Sequence, residues 1–154
     1  MTLRIWEVIS ILLSASVAGM FFGPWVALTR TIGVFAPEVL IAIVRRMNRN
    51  MAPVMTALMP AAMLSTIPVL LASYGARPWT FYMALAALAL LIVSLLVTVI
   101  VEVPIVKQIE TWTASSLPGD WQHLRDRWGA FHVVRVVAGI AGFVLLLVGA
   151  VVGG

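Results

Sequence analysis

EVPIVKQIETWTASSLPGDWQHLRDRWGAFHVVR, residues 102–135, is the stretch on which the reading of this chain turns. It separates two uncharged runs, 78–101 and 136–154, and it holds both histidines, three of the six tryptophans and eight of the sixteen formal charges. Uncharged runs also cover 8–29 and 50–76. Each of the four is close to the roughly 20 residues that cross a ~30 Å hydrocarbon core, and a helix is the only open-chain structure that satisfies its own backbone there. The 154 residues are 62% hydrophobic and 10% charged, with a mean hydropathy of +1.08. That is more apolar surface than a water-soluble domain of this size needs, and it names the bilayer as solvent. The expected fold is all-α: a polytopic membrane protein whose single domain, 1–154, has spans near 6–28, 51–73, 79–101 and 131–152. A polar interhelical segment, 102–130, forms a helical, amphipathic connection before the last span.

The first run has features of a signal peptide, with Arg4 ahead of it and a small-residue SVAG stretch at 16–19. Glu7 interrupts the apolar region and hydrophobicity continues through Leu28, so a retained helix is expected. The chain has no cysteine, which excludes disulfides, thiolate nucleophiles and thiolate metal sites within it. The net charge of +4 does not point to nucleic acid, because the basic residues flank the spans, where lipid head groups are the natural partner. Arg30, Arg45, Arg46 and Arg49 fall in the first connection, and Lys107, Arg125 and Arg127 in the third. The positive-inside bias places both long connections in the cytoplasm and both termini outside, in a bacterial inner (plasma) membrane.

The connections differ in kind. The second is a tight turn, Tyr74 to Pro78, followed by Trp79 as an interfacial anchor. In the first, Pro37 and Glu38 open a helical pattern ending in cations, either a helix lying in the interface or an extension of the second span. Pro53, Pro60 and Pro68 are expected to kink that span. In the third, Glu102 closes the third span and Pro104 opens a helix to about Trp112. Thr113 to Gly119 then break it, and Asp120 is a candidate N-cap for a helix running into the last span.

From that N-cap, Trp121, Arg125, Trp128, His132 and Arg135 recur at spacings of 4, 3, 4 and 3, on one helical face. A cation in the bilayer costs at least ~2.5–3.5 kcal/mol. Either the stripe faces the bundle interior or a polar cavity, or its aromatics and arginines snorkel to the head groups. Glu102 is the natural counter-charge to Arg135 or Arg127. That contact reads equally as an ion pair closing the bundle or as part of a His–Arg–carboxylate site. Met47, Met51, Met55, Met59 and Met63 form a second stripe, read as packing before soft-metal passage. Ser14 with Ala18, and Ala138 with Gly142, are small pairs that let helices approach closely. No zinc, phosphate-loop or Ser/His/Asp pattern is present, and the two histidines make no metal motif, so neither metal nor cofactor is expected.

Three segments carry a family resemblance: AGMFF at 18–22, EVPI…I…W at 102–112, and LPGDW…RDRW…H…R at 117–135. In order and hydropathy the chain resembles the DUF1772, or anthrone oxygenase-like, family of small four-helix membrane proteins. Many members carry a polar residue after the proline, where this chain reads Ile105-Val106-Lys107. The resemblance implies cofactor-independent oxygenation of an aromatic, polyketide-like or other hydrophobic substrate. His132 would serve as base, and Arg135, with Arg127 in reserve, would stabilise an oxyanion. Trp112 and Trp128 would stack on the substrate, and Glu102 would orient His132 or Arg135. Two other classes stay open. One is a non-enzymatic membrane protein that binds lipid or a small hydrophobe, or an accessory subunit. The other is a proton- or metal-coupled transporter, which four short helices would form only as a homo-oligomer.

Overall fold

The computed structural model of the chain describes residues 2–153. Five α-helices account for most of it: α1 (Thr2–Ala27), α2 (Pro37–Ser73), α3 (Pro78–Val97), α4 (Val103–Thr111) and α5 (Trp121–Val152). A 3₁₀ turn, Thr29–Val34, links α1 to α2, and a π-turn, Thr98–Glu102, joins α3 to α4. No strand forms among the described residues beyond an isolated bridge between Thr113 and Ser116. The fold is all-α, with four helical stretches long and apolar enough to cross a membrane.

The helices form a ring in the order α1, α2, α3, α5, each packing mainly on its two neighbours. Short links make successive helices antiparallel, so the ring is an up-and-down bundle. Its surface is inverted relative to a water-soluble bundle. Ser10, Ser14, Thr66, Ser73 and Ser94 are fully buried, whereas Leu12, Leu64, Leu71 and Val137 are more than 60% exposed. Hydrocarbon is as apolar as leucine, so outward leucines lose nothing in lipid, and the polar side chains turn inward to partners. Several of them bond back to their own helix, as Thr66 Oγ1 does to Ala62 O at 3.0 Å and Ser73 Oγ to Val69 O at 2.6 Å.

Of the two readings of residues 37–50, the extension holds. The α2 helix runs unbroken for 37 residues through Pro53, Pro60 and Pro68, about 55 Å at 1.5 Å per residue against a ~30 Å core. Its N-terminal part therefore stands beyond the hydrocarbon. There Leu40, Ile41 and Val44 pack with Val101, Ile105, Ile109, Trp112 and Trp128 in an apolar core that α4 and the start of α5 share. Arg45 pins α4 from the outside by donating to the carbonyls of Glu110 (2.7 Å) and Trp112 (2.8 Å), while Asn48 reaches Glu110 Oε1 at 2.7 Å. Met59 is buried beside Val17, Phe21 and Val136, with Met55 and Met63 packed against the same core, so this part of the methionine stripe serves packing.

At the opposite end of the bundle Glu7 is 3% exposed and takes Arg77 at 3.1 Å and Arg4 at 3.6 Å. Arg4 also donates to the carbonyl of Ala150, tying the first helix to the last. The α5 helix seats closely on both flanks. A Cβ on Gly139 would lie 3.0 Å from the Phe21 ring of α1, and one on Gly149 would lie 2.9 Å from Met83 Cβ of α3. Gly149 also offers its carbonyl to Thr80 Oγ1 at 2.9 Å. Gly149→Ala is therefore expected to lower stability by about 1–3 kcal/mol through overpacking. Exposed Gly19, with nothing near its Cβ position, should tolerate alanine or gain up to ~1 kcal/mol. Thermal unfolding of the two variants in detergent checks the contrast.

Candidate active site

Pro104 stands in the first turn of α4, as expected, and α3 runs into that helix through the π-turn. Proline explains the change of pitch. Pro104 has no N–H, and its ring would clash with the carbonyl four residues back, at Ile100. The helix widens instead of ending, and Val103 N–H bonds to Thr98 O, five residues back. Glu102 thus sits inside a continuous helix and is 5% exposed in its side chain. Asp120 does occupy the N-cap position of α5, although its side chain makes no capping hydrogen bond.

The inner half of the α5 stripe converges on that π-turn. Arg135 Nη1 meets Glu102 Oε2 at 2.6 Å and donates to Thr98 Oγ1 at 3.2 Å. Its Cζ lies 4.4 Å above the Phe21 ring, a cation–π contact strengthened by the burial of the guanidinium. His132, 2% exposed, is held at both ring nitrogens. Nε2 lies 3.1 Å from the Phe21 carbonyl, which only accepts, so Nε2 carries a proton. Nδ1 then presents its lone pair to Arg135 Nη2 at 3.2 Å, with Glu102 Oε1 3.6 Å away. Phe21 serves the cluster twice, by ring and by carbonyl. It escaped the sequence reading as a site residue, although it lies in the AGMFF run; an apolar residue whose backbone accepts leaves no trace in a pattern of charges.

Three polar atoms of this cluster are buried without a hydrogen-bond partner: Glu102 Oε1, Arg135 Nε and Trp128 Nε1. The Trp128 ring stands 6.2 Å from that of His132. Together they give one open acceptor and two open donors around a neutral imidazole, the complement of a molecule that gives up a proton and gathers negative charge on oxygen. Among the described residues, no group of histidines and carboxylates is arranged to hold a metal ion.

Not every expected site residue joins. Trp112 is buried in the apolar core of α2 and α4 beside Trp128 and reaches the cluster only through it. Arg127 does not converge: it is exposed, with its Cζ 5.8 Å from the centre of the Phe131 ring. Eight residues before Arg135, it falls on the outer face, since eight residues along a helix turn through about 80° beyond two full turns. The outer half of the stripe is a rim contact, with Arg125 over the Trp121 ring at 5.3 Å and paired with exposed Asp126 at 2.7 Å.

Removing one member of a buried pair leaves an uncompensated charge, whereas replacing both by apolar groups of similar volume can be neutral. Glu102→Leu is expected to destabilise the protein by about 3–5 kcal/mol, and adding Arg135→Met to restore at least half of that loss. Unfolding in detergent with the single and double variants checks it; an unaffected single variant would remove the pair from the stabilising role.

Comparison with protein-family models matches residues 44–145 to the family described as anthrone oxygenase. No curated protein and no solved structure matches the chain. The matched range contains the π-turn, Glu102, Trp128, His132 and Arg135, and the four apolar helices agree with an integral membrane protein resembling anthrone oxygenases. By this match across most of its length, the chain belongs to the anthrone oxygenase family.

Proposed function

We propose that this protein is a membrane oxygenase that takes a proton from an activated methylene of a flat, hydrophobic substrate and lets dioxygen oxidise the resulting anion. The observation that carries the reading is the set of open atoms around His132: Glu102 Oε1 as acceptor, Arg135 Nε and Trp128 Nε1 as donors. An anthrone methylene is acidic because its anion is an aromatic phenolate, and such an anion reacts with O2 without help from a metal or flavin. The protein's task is proton transfer and charge stabilisation.

His132 Nδ1 is the base, since Nε2 is committed to the Phe21 carbonyl. As Nδ1 takes the proton it loses its bond from Arg135, and the imidazolium is met by Glu102 Oε1, 3.6 Å away. The released Arg135 Nη2 and the free Nε then turn to the developing phenolate oxygen. Dioxygen adds to the carbanion, the proton returns to the peroxide, and loss of water leaves a carbonyl; one CH2 and one O2 become one C=O and one H2O. The cluster lies at the basic end of the bundle, which we place on the cytoplasmic side. The burial of His132, 2% exposed, favours a second reading in which the cluster is a clasp and the protein binds a hydrophobe without turning it over.

Oxygen uptake by the purified protein with an anthrone separates the two. The native chain should consume O2 well above the spontaneous rate, and His132→Gln should lower that rate by about 10²–10⁴-fold while the protein still folds. Full turnover in His132→Gln would remove His132 from the role of base. A native rate equal to the spontaneous one, with only phospholipid co-purifying, would leave the binding reading.

A further inference from the structure

Ala42, Arg45, Arg46 and Arg49 line a hollow of about 250 Å³ on α2, and the chemistry above makes no use of it. At 100° per residue the four positions fall within an arc of about 100°, so three arginines share one helical face around an exposed alanine. The other arginines are spent. Arg4 and Arg77 meet Glu7, Arg125 meets Asp126 and Arg135 meets Glu102, while Arg30 and Arg127 lie over aromatic rings. Arg45 gives Nε and Nη2 to the carbonyls of Glu110 and Trp112 and keeps Nη1. Among the described residues, Arg46 and Arg49 have no ion pair, and neither does Glu38, the acidic residue one turn above Ala42. Glu110 does not neutralise them either, since its Oε1 accepts from Asn48 at 2.7 Å. Like charges three and four residues apart on a helix repel, so this face gains from an anion set between them.

The height of the hollow along α2 decides which anion meets it. Exposed Tyr74 and Trp79 mark the interface just past the end of α2 at Ser73. A ~30 Å core measured back from there takes about 20 helical residues, which sets the opposite edge near Pro53. Arg49 then stands about 6 Å beyond the hydrocarbon and Arg45 about 12 Å, where lipid head groups form a layer ~5–8 Å deep. We infer that the hollow seats the head group of one anionic phospholipid, its phosphate held by Arg46, Arg49 and the free Nη1 of Arg45. Guanidinium suits the task, because its planar N–H pairs match two phosphate oxygens and it is only weakly hydrated. The methyl group of Ala42 leaves room for the head group where a longer side chain would fill the hollow. Such a seat differs from the general attraction of basic flanks to an anionic leaflet: it takes one lipid, on one face of one helix. It is also tied to the fold, since the Arg45 side chain that lines it pins the end of α4. Nothing in it depends on proton transfer at His132.

The test titrates the full-length protein in a neutral detergent with dioleoylphosphatidylglycerol and counts bound lipid by native mass spectrometry. One lipid should bind ahead of the rest, and dioleoylphosphatidylcholine, which has no net charge, should bind about tenfold more weakly. Arg46→Gln and Arg49→Gln should each raise Kd about fivefold, and the double variant should raise it more than either. Arg127→Gln removes the same charge from an exposed position on α5 and should leave Kd within about twofold. All three side chains are exposed, so the substitutions leave the core intact. Equal weakening by the three single substitutions would mean attraction to overall charge and would overturn the seat. Equal affinity for the two lipids would overturn it as well. Millimolar inorganic phosphate at constant ionic strength should not displace the lipid; displacement that depends on Arg46 and Arg49 would assign the hollow to a free phosphate instead.

Discussion

A buried carboxylate and guanidinium 2.6 Å apart, on helices that pack side by side, set the conditions for the rest of this structure. Neither group is tolerable buried alone. Their meeting fixes the register of α5 against α3, and with it the height of every residue below. Val136 falls into the central core beside Phe21 and Leu91, Gly142 onto Ala87 O, and Gly149 onto Thr80. At Gly142 and Gly149 the missing side chain lets α5 approach α3 closely. The same contact accounts for the place of His132. One turn before Arg135, it is carried between the π-turn and the Phe21 carbonyl, where both ring nitrogens find protein partners.

The π-turn is the second necessity. A straight α-helix through 98–102 would bring the ring of Pro104 against the Ile100 carbonyl. The wider turn relieves that contact and leaves Thr98 and Glu102 both on Arg135. One imino acid therefore shapes the wall of the cluster without touching it. The bundle also carries a second buried carboxylate, Glu7, clasped by Arg77 and Arg4 at the far end. The two clusters differ in their third member. Glu7 has two arginines and no titrating neighbour, a fastening; Glu102 has one arginine and a histidine, an arrangement that can move a proton.

How much of this was legible in the sequence depended on which force had written it. The four helices stand in the hydropathy, because the bilayer selects for length and apolarity and for little else. The convergence of His132, Arg135 and Glu102 was legible too, since a charge in lipid demands a counter-charge and the 3–4 spacing puts the first two on one face. Pro104 was read as the start of a helix and α4 does open there, but the π-turn that carries α3 into it was not legible, because it depends on tertiary packing that the sequence does not show. Arg127 was read beside Arg135 as its reserve, although the turn of the helix sends it outward. Phe21 acts through a backbone carbonyl and a ring face, neither of which composition or periodicity records. The lone pair of His132 could be located only once the carbonyl opposite its other nitrogen was known.

The pairing of α3 with α5 also has a bearing on how the chain is made. Helices enter the bilayer from the translocation machinery in chain order, and α5 arrives with Arg135 on a face that, unpaired, resists entry by about 2.5–3.5 kcal/mol. By then α3 already waits with Glu102, itself uncompensated. Neither Glu102 nor Arg135 has its counter-charge until α3 and α5 are both in place. The bundle carries its own assembly order: a chain truncated before residue 121 would hold an orphan carboxylate at the edge of the membrane, a mark by which quality control could tell an unfinished protein from a finished one.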